Sequence, residues 1–309
     1  MVKTEDVKLV NSGFSNNQVT EKIPINVISM GTEDKWYKGY NGKGVVVAVL
    51  DTGCSLDHED LSERIVGGYN FTEESNGNRD VFEDLNGHGS HVAGIIAGSM
   101  NGSGIVGVAP EAALLILKVL NKNGGGRIRD LVDAVHYAID WNGPKGERVS
   151  VISLSLATKF SDLALYEAIQ RAINNQIAVV AASGNDGDGN LDTLEYRFPG
   201  SYPEVIEVGA INNIEQVAVF SNTNEFVDLY APGVEIHSTF LSRGFSTLSG
   251  TSMATPHVTG ALALLIQEYR ERLKREPTEP EVYRYLMKHT KVIDVQNTTI
   301  RILSLSEGV

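Results

Sequence analysis

Five stretches of the chain are apolar at nearly every position: residues 44–50, 113–120, 149–154, 177–182 and 205–208. They are rich in β-branched residues and continuous rather than alternating, as a strand reads when both its faces are covered in a parallel sheet. Between them the spacing changes. Residues 128–141 carry Leu131, Val132, Val135 and Ala138, and residues 161–173 carry Leu163, Leu165, Ala168, Ile169 and Ala172. Both sets fall on one face of a helix. Thr278-Glu-Pro-Glu281 opens a further helix, with capping-box spacing and a proline in the first turn. Strands alternating with helices predict βαβ units, hence an α/β fold: a three-layer sandwich with a mostly parallel central sheet and helices on both faces. The first ~25 residues have no periodicity. Residues 1–27 are read as an N-terminal extension and residues 28–309 as one domain, with neither internal repeat nor linker.

Composition narrows the partners. Of 309 residues, 39 are acidic and 26 basic, a net charge of −13, which argues against nucleic acid and anionic membrane as partners and suits bound cations where acids cluster. The single cysteine, Cys54, rules out an intramolecular disulfide. The polar N-terminus does not read as a secretory signal, and the apolar stretch 260–266 is too short to span a bilayer. Together these features favour the cytoplasm.

Candidate chemistry lies where strands end, which is where open parallel sheets carry their sites. Asp51 ends the first strand, in Leu50-Asp-Thr-Gly-Cys54. His88 opens a helix, in Asn86-Gly-His-Gly-Ser-His-Val-Ala-Gly94. Ser252 lies in Ser249-Gly-Thr-Ser-Met-Ala-Thr-Pro-His257, just before the helical stretch 258–273. A serine hydroxyl is a poor nucleophile without a neighbouring base, and that base needs a carboxylate to fix its tautomer and steady its cation. A helix start at Ser252 would also aim free N–H groups at a developing oxyanion. Asn185, just after a strand, could donate to the same oxygen.

These segments, in the order Asp, His, Ser, resemble the subtilisin family of serine endopeptidases, with further matches in Val108-Ala-Pro110 and Ala231-Pro-Gly-Val234. The resemblance implies that Asp51 orients His88, that His88 takes the proton of Ser252 and later gives it to the leaving amine, and that Asn185 holds the oxyanion. Losing that donor is expected to cost roughly 3–4 kcal/mol, a magnitude carried over from subtilisin itself. A polypeptide substrate is expected to lie extended between Gly124, Gly125, Gly126 and Ser155, Leu156, Ala157, with Ala182, Ser183 and Gly184 as a wall of the pocket for P1, the residue whose carbonyl is attacked. Two features depart from the family. Ser155-Leu156-Ala157-Thr158 stands where two glycines usually follow the leucine, and Arg197 stands at a usually small position near the base of the P1 pocket. Arg197 either reaches into the pocket and favours Asp or Glu at P1, or points to solvent; the exposed reading is the favoured one.

The resemblance also implies Ca2+, held by the Asp60 carboxylate, the Asn101 amide and the carbonyls of Ser99, Ser103 and Ile105. A second candidate, with Asp186, Asp188 and Asp192, begins like an EF-hand loop but has Leu191 in place of the required glycine and Arg197 in place of the closing glutamate; it is either a cation loop or a solvated one. Within the family the chain is most similar to the intracellular subtilisins of bacilli, by Asp51-Thr-Gly-Cys54, Trp141-Asn-Gly-Pro-Lys-Gly-Glu147 and Gly184-Asn-Asp-Gly-Asp-Gly189. That implies a cytoplasmic, calcium-dependent homodimer kept as a zymogen, with residues 1–18 across the cleft. The segment aligned with the family's inhibitory motif, Leu9-Val10-Asn11-Ser12, lacks its proline and tyrosine.

Other readings are weaker. Gly102-Ser-Gly-Ile-Val-Gly107 fits a dinucleotide pattern but follows the His88 helix and precedes a strand, the wrong context for a nucleotide site. A non-catalytic scaffold would have lost a triad residue, and none is lost. His91 and Cys54 read as structural, and His58, His136, His237 and His289 as surface or packing residues.

Overall fold

The structure, a computed structural model, describes residues 21–296 and 298–306. The segment expected to inhibit, residues 1–18, lies outside them. In chain order, α1 (Ile25–Ser29) and α2 (Thr32–Tyr37) precede β1 (Val46–Asp51) and β2 (Ile65–Asn70). The boundary drawn after residue 27 falls inside α1, whose Val27 is part of the core. Next come α3 (His88–Ala97), β3 (Ala113–Lys118), α4 (Ile128–Asp140), β4 (Val149–Leu154), α5 (Leu163–Asn174), β5 (Ala178–Ala182), β6 (Ile206–Ile211) and β7 (Val227–Pro232). The chain then forms β8 (Ile236–Thr239), β9 (Phe245–Leu248), α6 (Thr251–Leu273), α7 (Glu279–Lys288), β10 (Thr290–Val295) and β11 (Thr298–Leu303).

One sheet runs in the order β10-β11-β7-β6-β5-β4-β1-β3-β2, parallel throughout except for the pairing of β10 with β11. The alternation along β1 shows why its run is apolar throughout. Val47 and Val49 join the core under α3 and α6, while Val46, Ala48 and Leu50 join the core under α4 and α5. Both faces are covered, and the layers are helix, sheet, helix. β1 has β3 on one side and β4 on the other. The chain order reverses between β1 and β4, so a crevice opens at their carboxyl ends.

α6 begins seven residues before the expected start of 258. Pro256 reads as a helix breaker because it has no N–H for the carbonyl four residues back, here that of Ser252. The Ser155 hydroxyl donates to that carbonyl instead, at 2.9 Å. The helix therefore continues through the proline, and Ser252 sits in its first turn.

Candidate active site

The expected residues converge on this crevice. Asp51 is the last residue of β1 and His88 the first of α3, and both are buried. His88 Nδ1 lies 2.8 and 3.0 Å from the two oxygens of Asp51. A carboxylate there selects the tautomer with Nδ1–H donating, which leaves the Nε2 lone pair free. Nε2 is buried and has no hydrogen-bond partner among the described residues. Ser252 Oγ donates to the Ser155 carbonyl at 3.1 Å. Ser155 thus grips the serine twice, through its hydroxyl and through its carbonyl.

Asn185 Oδ1 accepts from Thr251 N–H at 2.8 Å and from Thr251 Oγ1 at 3.0 Å. These bonds tie the amide to the start of α6 and leave Nδ2 for another acceptor. A point one Cβ length off Gly250 is 3.5 Å from Asn185 Nδ2, 3.7 Å from Asn185 Oδ1 and 3.7 Å from Ser252 N, so the amide and the Ser252 N–H lie beside the same glycine.

Asp84 was not anticipated from the sequence. Its buried carboxylate accepts from Thr52 Oγ1, from the N–H groups of Asn86 and Gly87, and from both N–H and Oγ of Ser90, at 2.7–2.9 Å. Burial pushes this carboxyl up, but the bonds from Gly87, Ser90 and Asn86 outweigh it and hold it below the usual range. Thr52 follows Asp51 and Gly87 precedes His88, so Asp84 braces both. Its only sequence signal is an acidic residue just ahead of a helix start.

Gly126 allows the chain close to Val119, whose carbonyl a Cβ would meet at 2.4 Å. Gly124 has φ +75° in a turn closed by Asn121 N–H to the Gly125 carbonyl. Leu156 is buried, and among the described residues neither Gly126 nor Ala157 makes a backbone hydrogen bond to another backbone group. Thr158 pairs with Phe198 through two backbone bonds. Ala182 ends β5, Ser183 is buried, and Gly184 N–H donates to Thr251 Oγ1.

Arg197 is placed otherwise than the favoured solvent reading. Its guanidinium pairs with Asp186 at 2.7 Å and donates to the Tyr196 carbonyl at 2.9 Å, and its side chain is 17% exposed. The same pair breaks up the second candidate cation loop. Asp188 accepts from Asn190 N–H and Thr193 Oγ1, Asp192 is exposed, and among the described residues no three His, Cys, Asp or Glu side chains gather to hold a metal.

The first candidate calcium loop has a different character. Asp60 is buried and accepts from Ile105 N–H at 3.0 Å and Asn101 Nδ2 at 3.1 Å. Burial raises its pKa, and among the described residues no Lys, Arg or His forms an ion pair with it. The carbonyls of Ser99, Ser103 and Ile105 accept no hydrogen bond among the described residues. Asn101 turns its nitrogen to Asp60 and its Oδ1 accepts from Ser103 N–H and Oγ, so the amide would have to turn over to offer calcium an oxygen; the buried carboxylate and the three carbonyls are hard-oxygen groups of the kind calcium takes. Glu21, also not anticipated, reaches this loop and accepts from Gly102 N–H at 2.6 Å.

His91 is buried, contacts the Ile236 and Ser246 carbonyls, and is pushed down to about 3 by burial. Cys54 is fully buried, and burial raises its thiol well above the usual value. His58 is buried, accepts from Asp60 N–H and contacts the Gly244 carbonyl.

The model of the subtilase family matches residues 42–307. The chain is 48% identical over 277 residues to the intracellular serine protease of Paenibacillus polymyxa, a match covering 90% of this chain and 83% of that protein. It is 42% identical over 287 residues to the major intracellular serine protease of Bacillus subtilis strain 168, covering 92% and 88%. Subtilisin E of the same organism is 35% identical over 268 residues, covering 86% and 67%.

Proposed function

The chain belongs to the subtilase family and is a subtilisin-like serine endopeptidase, and from this premise we propose that it cleaves proteins inside the cell through an acyl-enzyme on Ser252. The Asp51–His88 bond carries the reading, because it leaves the buried Nε2 without a partner and able to act as a base. A substrate strand would pair with the open edges at residues 124–126 and 155–157. The Ser252 hydroxyl then turns from the Ser155 carbonyl to Nε2, and its oxygen attacks the P1 carbonyl as the proton passes to His88. The oxyanion sits between Asn185 Nδ2 and Ser252 N–H. The imidazolium, held by Asp51, returns the proton to the amine as it leaves. Water, deprotonated by His88, then releases the acid. The cytoplasmic setting rests on the two relatives named as intracellular.

Calcium belongs to the same proposal. Asp60, Asn101 and the carbonyls of Ser99, Ser103 and Ile105 would hold it. It would neutralise the buried carboxylate and tie the loop after α3 to the chain near Glu21.

A serine-directed phosphonate, casein and a Ser252→Ala control test the proposal. A mass adduct on Ser252 with caseinolysis is expected; neither in the presence of calcium would overturn it. In the Ser252→Ala protein, calcium at about 100 times its dissociation constant should add about 2.7 kcal/mol of stability. That gain should disappear on adding Asp60→Asn. Equal melting with calcium and with chelator would remove the ion from the account.

A further inference from the structure

Lys118, the last residue of β3, has only 1% of its side chain exposed, and the chemistry at Ser252 gives it no task. It stands beside Asp51 in the register of β1 and β3. Its ammonium donates to the carbonyl of Thr52, the residue after Asp51, and pairs with Glu74 at 3.1 Å. Glu74 turns its other oxygen to the N–H of Lys122 at 2.8 Å, at the head of the turn that carries Gly124 and Gly125. The Lys122 carbonyl accepts from Asn86 Nδ2 at 2.9 Å, and Asn86 Oδ1 accepts from the N–H of His88 at 3.2 Å. Val119 and Leu120, which follow Lys118, both donate their N–H to the Asp51 carbonyl. A ring of contacts therefore runs from the end of β1 through Lys118, Glu74 and Lys122 to the start of α3, and the substrate edge grows out of it. A buried ion pair stabilises a fold little, because desolvation offsets the attraction. What distinguishes this one is its position.

We propose that Lys118 and Glu74 are a positioning pair for the Asp51–His88 couple, fixing the chain that leaves Asp51 and balancing the charge that His88 feels. The inference rests on His88 being the base that serves Ser252. The ammonium holds the Thr52 carbonyl, so the end of β1 cannot swing away from α3. It also disfavours a cation on His88, whereas the Glu74 carboxylate favours one. The other charges at this end of the crevice are acidic: Asp51, Glu83 and Asp84 all act on Cys54, and Lys118 also faces Glu83. His91, three residues along α3, faces His88 and is kept neutral by burial. Lys118 therefore opposes the carboxylates, and Glu74 sets how much of its charge is left to do so.

Lys118→Met, Glu74→Gln and the double variant test this, through kcat and the acid limb of the kcat/KM–pH profile at low salt. Lys118→Met should lower kcat about tenfold and move the acid limb up by roughly half a unit, because the carboxylate left behind favours the His88 cation. Glu74→Gln should move the limb down by a similar amount. The double variant has lost both charges, so its limb should return to the wild-type position. Its kcat should stay low, because the Thr52 carbonyl still lacks its donor. A pair that only braced the fold would lower the melting temperature and leave the limb in place. An unmoved limb in either single variant, or limbs that move in the same direction, would overturn the proposal. Where Lys118→Met does not fold, the direction of the limb in Glu74→Gln decides. Phosphonate labelling of Ser252 separates the two levels. Labelling with unmoved limbs sinks the positioning pair alone, whereas no labelling of the wild type sinks the nucleophile and the pair with it.

Discussion

Asp84 exchanges no proton in the proposed chemistry, yet five donors from both sides of the Asp51–His88 pair end on its two oxygens. In Asp84→Asn one oxygen becomes an NH2 group that faces donors. Charge and acceptor capacity are lost where no water can replace them, at a cost of roughly 2–4 kcal/mol of stability. If Asp84 positions the pair, kcat falls and the acid limb of the pH–rate profile moves, while KM changes little. A lower melting temperature with unchanged kcat and unchanged profile would reduce Asp84 to a structural role. The contrast with Asp51, His88 and Ser252 shows what could be seen in the sequence. Those three were visible because nucleophile, base and carboxylate must be particular residue types, and each stood at a strand end or helix start. Glu21 and, for three of its five bonds, Asp84 act on backbone N–H groups, which leave no trace in the residue types around them. Arg197 was noticed for its charge, but its partner, eleven residues back in the chain, was not, since only the folded loop brings Asp186 to it.

Helix α6 depends on a residue outside itself. Ser155 supplies the hydrogen that Pro256 cannot, so Ser155→Ala should leave the Ser252 carbonyl buried without that partner, costing about 1–3 kcal/mol. In the proposed mechanism the first turn of the helix carries the nucleophile and an oxyanion donor, so kcat should fall with stability and KM should not. Urea unfolding of the Ser155→Ala/Ser252→Ala protein against Ser252→Ala isolates the stability term; equal midpoints would contradict it. The elements follow the same logic of legibility. The interior strands β1, β3, β4, β5 and β6 could be read because burial on both faces makes them apolar throughout. β10 is half-buried or exposed along its length and reads as polar chain, and the short hairpin β8–β9 mixes Ser, Thr and His with its apolar residues. The start of α6 was misplaced because its local proline signal is overridden by a contact 97 residues away.

At the scale of the molecule, groups held away from their ordinary ionisation make stability depend on pH with a definite sign. Glu207 on β6 is buried, accepts from Ser201 and Asn224, faces Asp228 and Glu225, and is raised mainly by burial from 4.5 to about 8. Between those values the unfolded chain has lost a proton that the folded chain keeps, so stability falls as pH rises, by up to about 1.4 kcal/mol per unit. His91 and His257, buried in the two helices that carry His88 and Ser252, are lowered by burial from 6.5 to about 3 and about 4. His91 faces His88 and His237, and His257 donates to the Met253 carbonyl. They stay neutral in the fold while the unfolded chain protonates, so stability present above pH 6.5 is lost as pH falls. Between 4.5 and 6.5 these two histidines, joined by His58 and His237, which burial also lowers, outweigh the glutamate and stability rises with pH; above 6.5 the histidine contribution fades while Glu207 still titrates, and stability declines. The maximum is therefore expected between pH 6.5 and 8, with the steeper loss on the acid side, where the helices that carry His88 and Ser252 are both undermined. Urea unfolding of the Ser252→Ala protein at fixed calcium, across the acid and alkaline sides of that maximum, measures the curve without self-digestion. Adding Glu207→Gln keeps an acceptor for Ser201 and Asn224 but cannot ionise, so it should flatten the alkaline limb and leave the histidine-driven loss on the acid side in place. An alkaline limb as steep with Glu207→Gln as without it would assign that loss to other groups.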